Sequence, residues 1–331
     1  MGKKKRRLFL FDNLKFFLIA LVVIGHFVDI GTSISPTCKS IFIFIYSFHM
    51  PLFLYLSGLF HKNSKIPQKV VTFIVLGYLS KIVIYLTKLI LFRQNDFHFF
   101  SDGSLPWYMF VLAMFIGISY LLRDIDKRLI LAISVVLACI VGYFDAIGDF
   151  LYLSRFFVFY PFYVMGQMTP KIVLGNLNKM KTVKIISACI LIVWFILCFT
   201  QIDSIYALRL LFTGRNPYSA TEGLGIFHRL LCYLITTVVS LCVICIVPRK
   251  KLPYVSDFGK NTLQVYFWHT TFLLLFTKVG LSALLVDSAF GRFLLIVLGS
   301  LLAVALSTKA FSFPTKQASE LCKKLFELKT E

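Results

Sequence analysis

The chain has 331 residues, and 58% of them are hydrophobic, above the roughly 45–50% of ordinary soluble domains. Thirty-five Lys and Arg against 15 Asp and Glu give a formal net charge of +20, but a mean hydropathy of +0.83 excludes a soluble nucleic-acid binder. A charged fraction of only 15% excludes a disordered chain, which leaves an all-α polytopic membrane protein with the lipid bilayer as its solvent.

Apolar segments of about twenty residues, the length of a membrane span, recur along the chain. They cover 8–29, 40–60, 66–92, 105–122, 128–144, 153–168, 183–202, 228–247, 262–279 and 290–311. These predict about ten transmembrane helices in one domain over 1–311, followed by a short basic cytoplasmic tail over 312–331. The basic run at 3–7 resembles the start of a signal peptide. Asp12 and Lys15 interrupt the apolar stretch, however, and no small-x-small site follows, so the first segment is expected to stay as a span. With ten spans, about two dozen of the basic residues lie on the side of both termini and about half a dozen on the other. That bias makes both termini cytoplasmic.

An ionisable residue inside a span is costly and is by default a functional candidate. In the first span Lys15 and His26 lie 11 residues apart, about three turns, so they share one helix face about 16 Å apart along the axis. Asp12, one turn before Lys15, can pair with it. The plain alternative is a surface Lys–Asp pair and an interfacial His. His49 falls near the middle of the second span, either as a hydrogen-bonded core histidine or as a donor lining a site. Pro51 predicts a kink there with a freed carbonyl. Ser57 and Gly58 suit close helix packing better than nucleophilic chemistry.

Further along, Lys81 and Lys88 share a face and are expected to snorkel or pair. Trp107 reads as an interfacial anchor or as a wall on which substrate stacks. Arg155 either snorkels or binds an anionic part of a glycan or lipid carrier. The segment 203–227, with Arg215 and Glu222, is long for a connection and is either a loose loop or a lid. His269 is mid-span, either structural or lining an acyl channel. Six of the eight cysteines lie in apolar runs, and the Cys242/Cys245 pair lacks partner ligands, so no metal centre is expected.

Several runs together carry a family likeness. FDNLKFFLIALVVIGHF at 11–27, with Lys15 and His26, resembles the first helix of the acyltransferase family 3 membrane proteins, closest to the fucose-4-O-acetylase-like branch. IYSFHMPLFLYLSGLF at 45–60, LPWYMFVLAMF at 105–115, RFFVFYPFYVMGQ at 155–167 and FGKNTLQVYFWH at 258–269 are similar to later motifs in the same order. The resemblance implies an O-acyltransferase of the bacterial plasma membrane. Its donor would be cytoplasmic acyl-CoA, commonly acetyl-CoA, and its acceptor a hydroxyl of a surface glycan such as capsule, or of a lipid-linked oligosaccharide.

Acyl transfer to a hydroxyl needs a base for its proton, and His26 is expected to be that base, with Lys15 and Asp12 completing the catalytic set. His49, Arg155, Trp107, His269, Arg215 and Glu222 would face the acceptor, and Lys15, Lys62 and Lys65 the CoA phosphates. Lys15 stands where many relatives have Arg, and Lys62, Lys65 and Lys69 where many show an Arg cluster. Each leaves a point charge in place of a bidentate fork. The rival reading is a transporter or flippase of glycan intermediates, against which the chain shows no duplicated halves.

Overall fold

The computed structural model describes residues 9–101, 106–215, 218–220, 223 and 225–327, and Glu222 lies outside them. Among these residues all the regular structure is helical. In chain order the helices are α1 (Phe9–Asp29), α2 (Pro36–Tyr46), α3 (His49–Leu59), α4 (Ile66–Phe92), α5 (Trp107–Leu121) and α6 (Lys127–Ile140). Then come α7 (Leu153–Met168), α8 (Lys171–Leu177), α9 (Lys181–Thr200), α10 (Ile202–Ala207), α11 (Arg209–Phe212) and α12 (Ile226–Ile246). The last are α13 (Val255–Phe258), α14 (Thr262–Lys278), α15 (Leu281–Val286), α16 (Ala289–Leu306) and α17 (Thr315–Glu327).

Among the described residues six segments are long and apolar enough to cross a membrane: α1, α2–α3 together, α4, α9, α12 and α16. The other four expected spans are helical but shorter, at 15, 14, 16 and 17 residues for α5, α6, α7 and α14. The fifth ends early because the chain leaves the α-helix at Ile140 for a single tighter turn. Large apolar side chains such as Ile90, Leu121, Ile192 and Phe290 stand fully outward. That surface suits lipid and would be a liability in water.

Local chemistry sets the helix starts. Ser35 caps α2, its hydroxyl accepting from the Cys38 amide, with Pro36 at the first helical position. Asp126 and Ser288 cap α6 and α16 in the same way. Amides from distant helices close two helix ends. Asn178 Nδ2 donates to the carbonyls of Ile244, Cys245 and Val247 at the end of α12, and Gln264 Nε2 to those of Leu306 and Thr308 at the end of α16. These satisfy carbonyls that a helix end leaves orphaned.

Two features of the core position the site. The second span breaks at Ser47–Phe48, where Pro51 has no amide to offer the Ser47 carbonyl. Thr236 on α12 donates to that carbonyl at 2.6 Å, and Trp194 on α9 donates to the Ser47 hydroxyl at 3.0 Å. The freed groups are thus paired inside the bundle, the condition for irregular backbone at membrane depth. The second feature is the crossing of α3 and α7. A Cβ at Gly58 would overlap the Tyr163 carbonyl, and one at Gly166 the Tyr55 carbonyl. Two glycines therefore let the backbones touch.

Lys81 does not snorkel. It is 3% exposed and donates to the carbonyls of His98, Phe99 and Ser101, tying that segment to α4. The amphipathic tail helix α17 packs along α4. There Lys65 faces Glu327 at 3.8 Å.

Candidate active site

One face of α1 lines two cavities. Lys15, Ile19 and Val22 border the first, and Val22, His26 and Asp29 the second. This is the 4-3-4-3 spacing of a single helical stripe. The cavities share two residues, Val22 of α1 and Met50 of α3, at the break in the second span. They are thus stacked end to end along α1.

The first, the lysine cavity, has a volume of about 420 Å³ and a mostly apolar wall that includes Phe53, Leu56, Leu112 and Ile116. Its basic residues are Lys15, Lys62 and Lys69. Lys15 Nζ lies 4.7 Å from the centre of the Phe60 ring, and Lys69 donates to the Lys62 carbonyl at 2.7 Å. Lys65 does not line it; its side chain is turned to α17. Asp12 lines neither cavity and is buried in the first turn of α1, its backbone against Gly259.

Sequence reasoning passed over His61, which stands in the short connection to α4. Its Nδ1 meets the Tyr163 hydroxyl at 2.7 Å and its Nε2 the Asn63 Oδ1 at 2.8 Å. The amide oxygen can only accept, so Nε2 carries the proton and the tyrosine donates to Nδ1. Burial holds this imidazole below its ordinary pKa, with Lys69 and Lys127 adding to the effect against the Asn63 bond. It is therefore neutral at pH 7, and the charge of the mouth is that of the lysines.

The second, the arginine cavity, measures about 300 Å³ and is far more polar. Four of the expected residues meet there in addition to His26: His49, Trp107, Arg155 and Arg215. Trp107 is a buried inner wall, stacked on Phe159 with ring centres 5.5 Å apart. His26 Nδ1 lies 3.3 Å from the Tyr46 hydroxyl, and the Tyr46 ring packs edge-on against His49. His49 Nδ1 lies 2.9 Å from the Ile45 carbonyl. A carbonyl only accepts, so in neutral His49 the proton is on Nδ1 and Nε2 offers a lone pair. His49 is thus hydrogen-bonded to the core through Nδ1 while its ring also lines the cavity.

His269 stands behind this group. Its ring centre is 5.3 Å from that of His26, and its Nδ1 donates to the carbonyls of Val265 and Tyr266. Its Nε2 is buried without a hydrogen-bond partner among the described residues. It lines neither cavity. Among the described residues no three His, Cys, Asp or Glu are arranged to hold a metal.

The long segment after α9 is not loose where it is described. Tyr206, Arg209, Phe212 and Arg215 form one wall of the arginine cavity. Arg229, fully buried on α12, donates to the carbonyls of Leu211 and Arg215, and Ser154 to that of Gly214. The role of Arg229 as a clamp depends on carbonyls that only the folded segment presents.

A helical multi-pass membrane protein with an apolar, lysine-lined cavity meeting a histidine- and arginine-lined one has the layout of a membrane group-transfer enzyme. Residues 10–309 match the family model described as the acyltransferase domain, acyltransferase family 3. The chain belongs to that family and is a membrane acyltransferase. No curated protein and no solved structure matches it.

Proposed function

We propose that the chain is an O-acetyltransferase of the fucose-4-O-acetylase-like branch, acting in a bacterial plasma membrane. It takes acetyl from cytoplasmic acetyl-CoA and places it on a sugar hydroxyl of a surface polysaccharide or its lipid-linked precursor. The single observation that carries this is the stripe on α1, with Lys15 in one cavity, His26 in the next and the two joined at Val22 and Met50. With ten spans and both termini cytoplasmic, the lysine cavity opens to the cytoplasm and the arginine cavity to the outside.

Lys15, Lys62 and Lys69 hold CoA phosphates as point charges, while the apolar wall takes the pantetheine arm. The roughly 16 Å of helix between Lys15 and His26 is a length that such an arm can span. In the arginine cavity the acceptor hydroxyl meets His26. With Nδ1–H donating to the Tyr46 oxygen, Nε2 is free to act as base. The hydroxyl oxygen forms the new C–O bond to the thioester carbon as its proton passes to His26. The C–S bond then breaks, and the CoA thiolate leaves with that proton. His49 Nε2 accepts from the acceptor and orients it.

Membranes carrying the protein, given acetyl-labelled acetyl-CoA and a de-O-acetylated acceptor glycan, are expected to form base-labile labelled ester on the glycan. Uptake of glycan without label transfer would support the transporter reading instead. Lys15→Ala and Lys69→Ala are each expected to raise the KM for acetyl-CoA about tenfold, as for a lost hydrogen bond to a charged group. The acceptor KM should not move. Steady-state kinetics at two salt concentrations check both statements, since high salt should narrow the difference.

A further inference from the structure

Among the described residues, the arginine cavity holds more guanidiniums than a neutral sugar requires. Among the described residues its walls hold three guanidiniums, Arg155, Arg209 and Arg215, against one carboxylate, Asp29. Arg155 is the most deeply placed of the three, at 4% exposure. Of its five N–H donors, one makes a hydrogen bond among the described residues, Nη1 to Asp149 Oδ1 at 3.4 Å. Asp149 is itself 40% exposed, so the pair is long and leans toward solvent.

Trp107 fixes the guanidinium, which lies 5.1 Å from the ring centre. Arg209 is held in a similar way, 4.9 Å over Tyr206. Both forks are pre-set by aromatic faces while most of their donors remain uncommitted. Arg229 shows the contrast. Equally buried but outside the cavity, it donates to two backbone carbonyls and serves the fold. A buried cation with so few acceptors is costly unless a ligand supplies them.

We propose that the acceptor is acidic, with a carboxylate or phosphate that docks on Arg155 in the arginine cavity, supported by Arg209 at the more exposed wall. A planar guanidinium grips either group with two parallel hydrogen bonds. At about 300 Å³ the cavity is at the small end for ligand pockets. The anion and the hydroxyl over His26 therefore belong to the same sugar residue or to adjacent ones. This rests on the acyl-transfer reading of the same site and names the class of substrate that it takes.

The test uses surface polysaccharide from cells that carry this protein, de-O-acylated with mild base and split into three portions. One is left as it is, one has its carboxylates reduced to alcohols, and one is stripped of phosphate with cold aqueous hydrofluoric acid. Initial rates of labelled acetyl transfer are read at sub-saturating acceptor. The proposal predicts a fall of about ten- to a hundredfold in one treated portion, as for a lost charged hydrogen bond. A fall after reduction identifies a carboxylate, and a fall after hydrofluoric acid a phosphate.

Arg155→Gln is expected to bring the ratio of untreated to treated rate close to one, with the KM for acetyl-CoA unchanged. If that variant fails to reach the membrane, the two chemical treatments decide alone. Equal transfer to all three portions would overturn the proposal while leaving acyl transfer intact. If even untreated glycan takes no label, acyl transfer to glycan is what fails, and the acidic-acceptor proposal falls with it.

Discussion

His26→Ala is expected to lower acetyl transfer by about 10²- to 10⁴-fold, the usual worth of a positioned general base, while the protein reaches the membrane at normal level. His26 lines the arginine cavity only by its partly exposed ring, so removing it opens no large core void. Tyr46→Phe is the companion variant. It keeps the ring that packs on His49 and removes the oxygen at 3.3 Å from His26 Nδ1. A smaller loss is expected there, in kcat and not in either KM, because the hydroxyl orients the base without touching the acceptor. Near-normal transfer by His26→Ala at normal membrane level would remove His26 from the chemistry. His49, which also lines the cavity, would then be the base to test.

Valine at Gly58 or at Gly166 is expected to cost most of the folded protein. A first added carbon at either position meets a carbonyl on the partner helix, and backbone cannot rotate aside as a side chain can. Overpacking typically costs about 1–3 kcal/mol, and more where the obstacle is fixed. Separation of α3 from α7 would also move Ser57, which is hydrogen-bonded to Tyr108 in the lysine cavity, and Tyr163, which holds His61. Size-exclusion of the detergent-extracted protein reads the folded fraction. Gly117→Ala is the control, since a Cβ there meets nothing within 4 Å, and its folded fraction should match the parent.

Much of this site was visible in the chain because it is periodic. Lys15 and His26 share a face by arithmetic on one helix, and the structure extends that face through Ile19, Val22 and Asp29. Pro51 signalled a break, and Gly58 a close approach. What periodicity could not supply was the partner across space. Thr236, which satisfies the break, is 189 residues from Ser47, and Tyr163, which meets Gly58, lies four helices further along.

Charge pattern could not place two lysines, for the same reason. Lys65 sits in a run with Lys62 and Lys69 and seemed equivalent to them, yet the helix start at Ile66 turns it toward Glu327. Lys81 was open to snorkelling or pairing, and only the segment at 98–101, folded over it, shows its carbonyl partners. The segment after α9 was read as either loose or a lid, because nothing in its composition reveals the Arg229 clamp. Tyr46 drew no notice because an aromatic residue in an apolar helix is ordinary. Only the position of His26 beside its hydroxyl gives it a role.

On the proposed mechanism, one stripe of α1 carries an acetyl group from a donor on the cytoplasmic side to an acceptor on the other. Sealed inverted vesicles test it most directly, since their cytoplasmic face is outward and acetyl-CoA does not cross a bilayer. With glycan acceptor enclosed in the lumen and labelled acetyl-CoA added outside, label is expected in the lumenal glycan as base-labile ester, without detergent. Label that appears only after the vesicles are opened, or only on acceptor supplied outside with the donor, would contradict it.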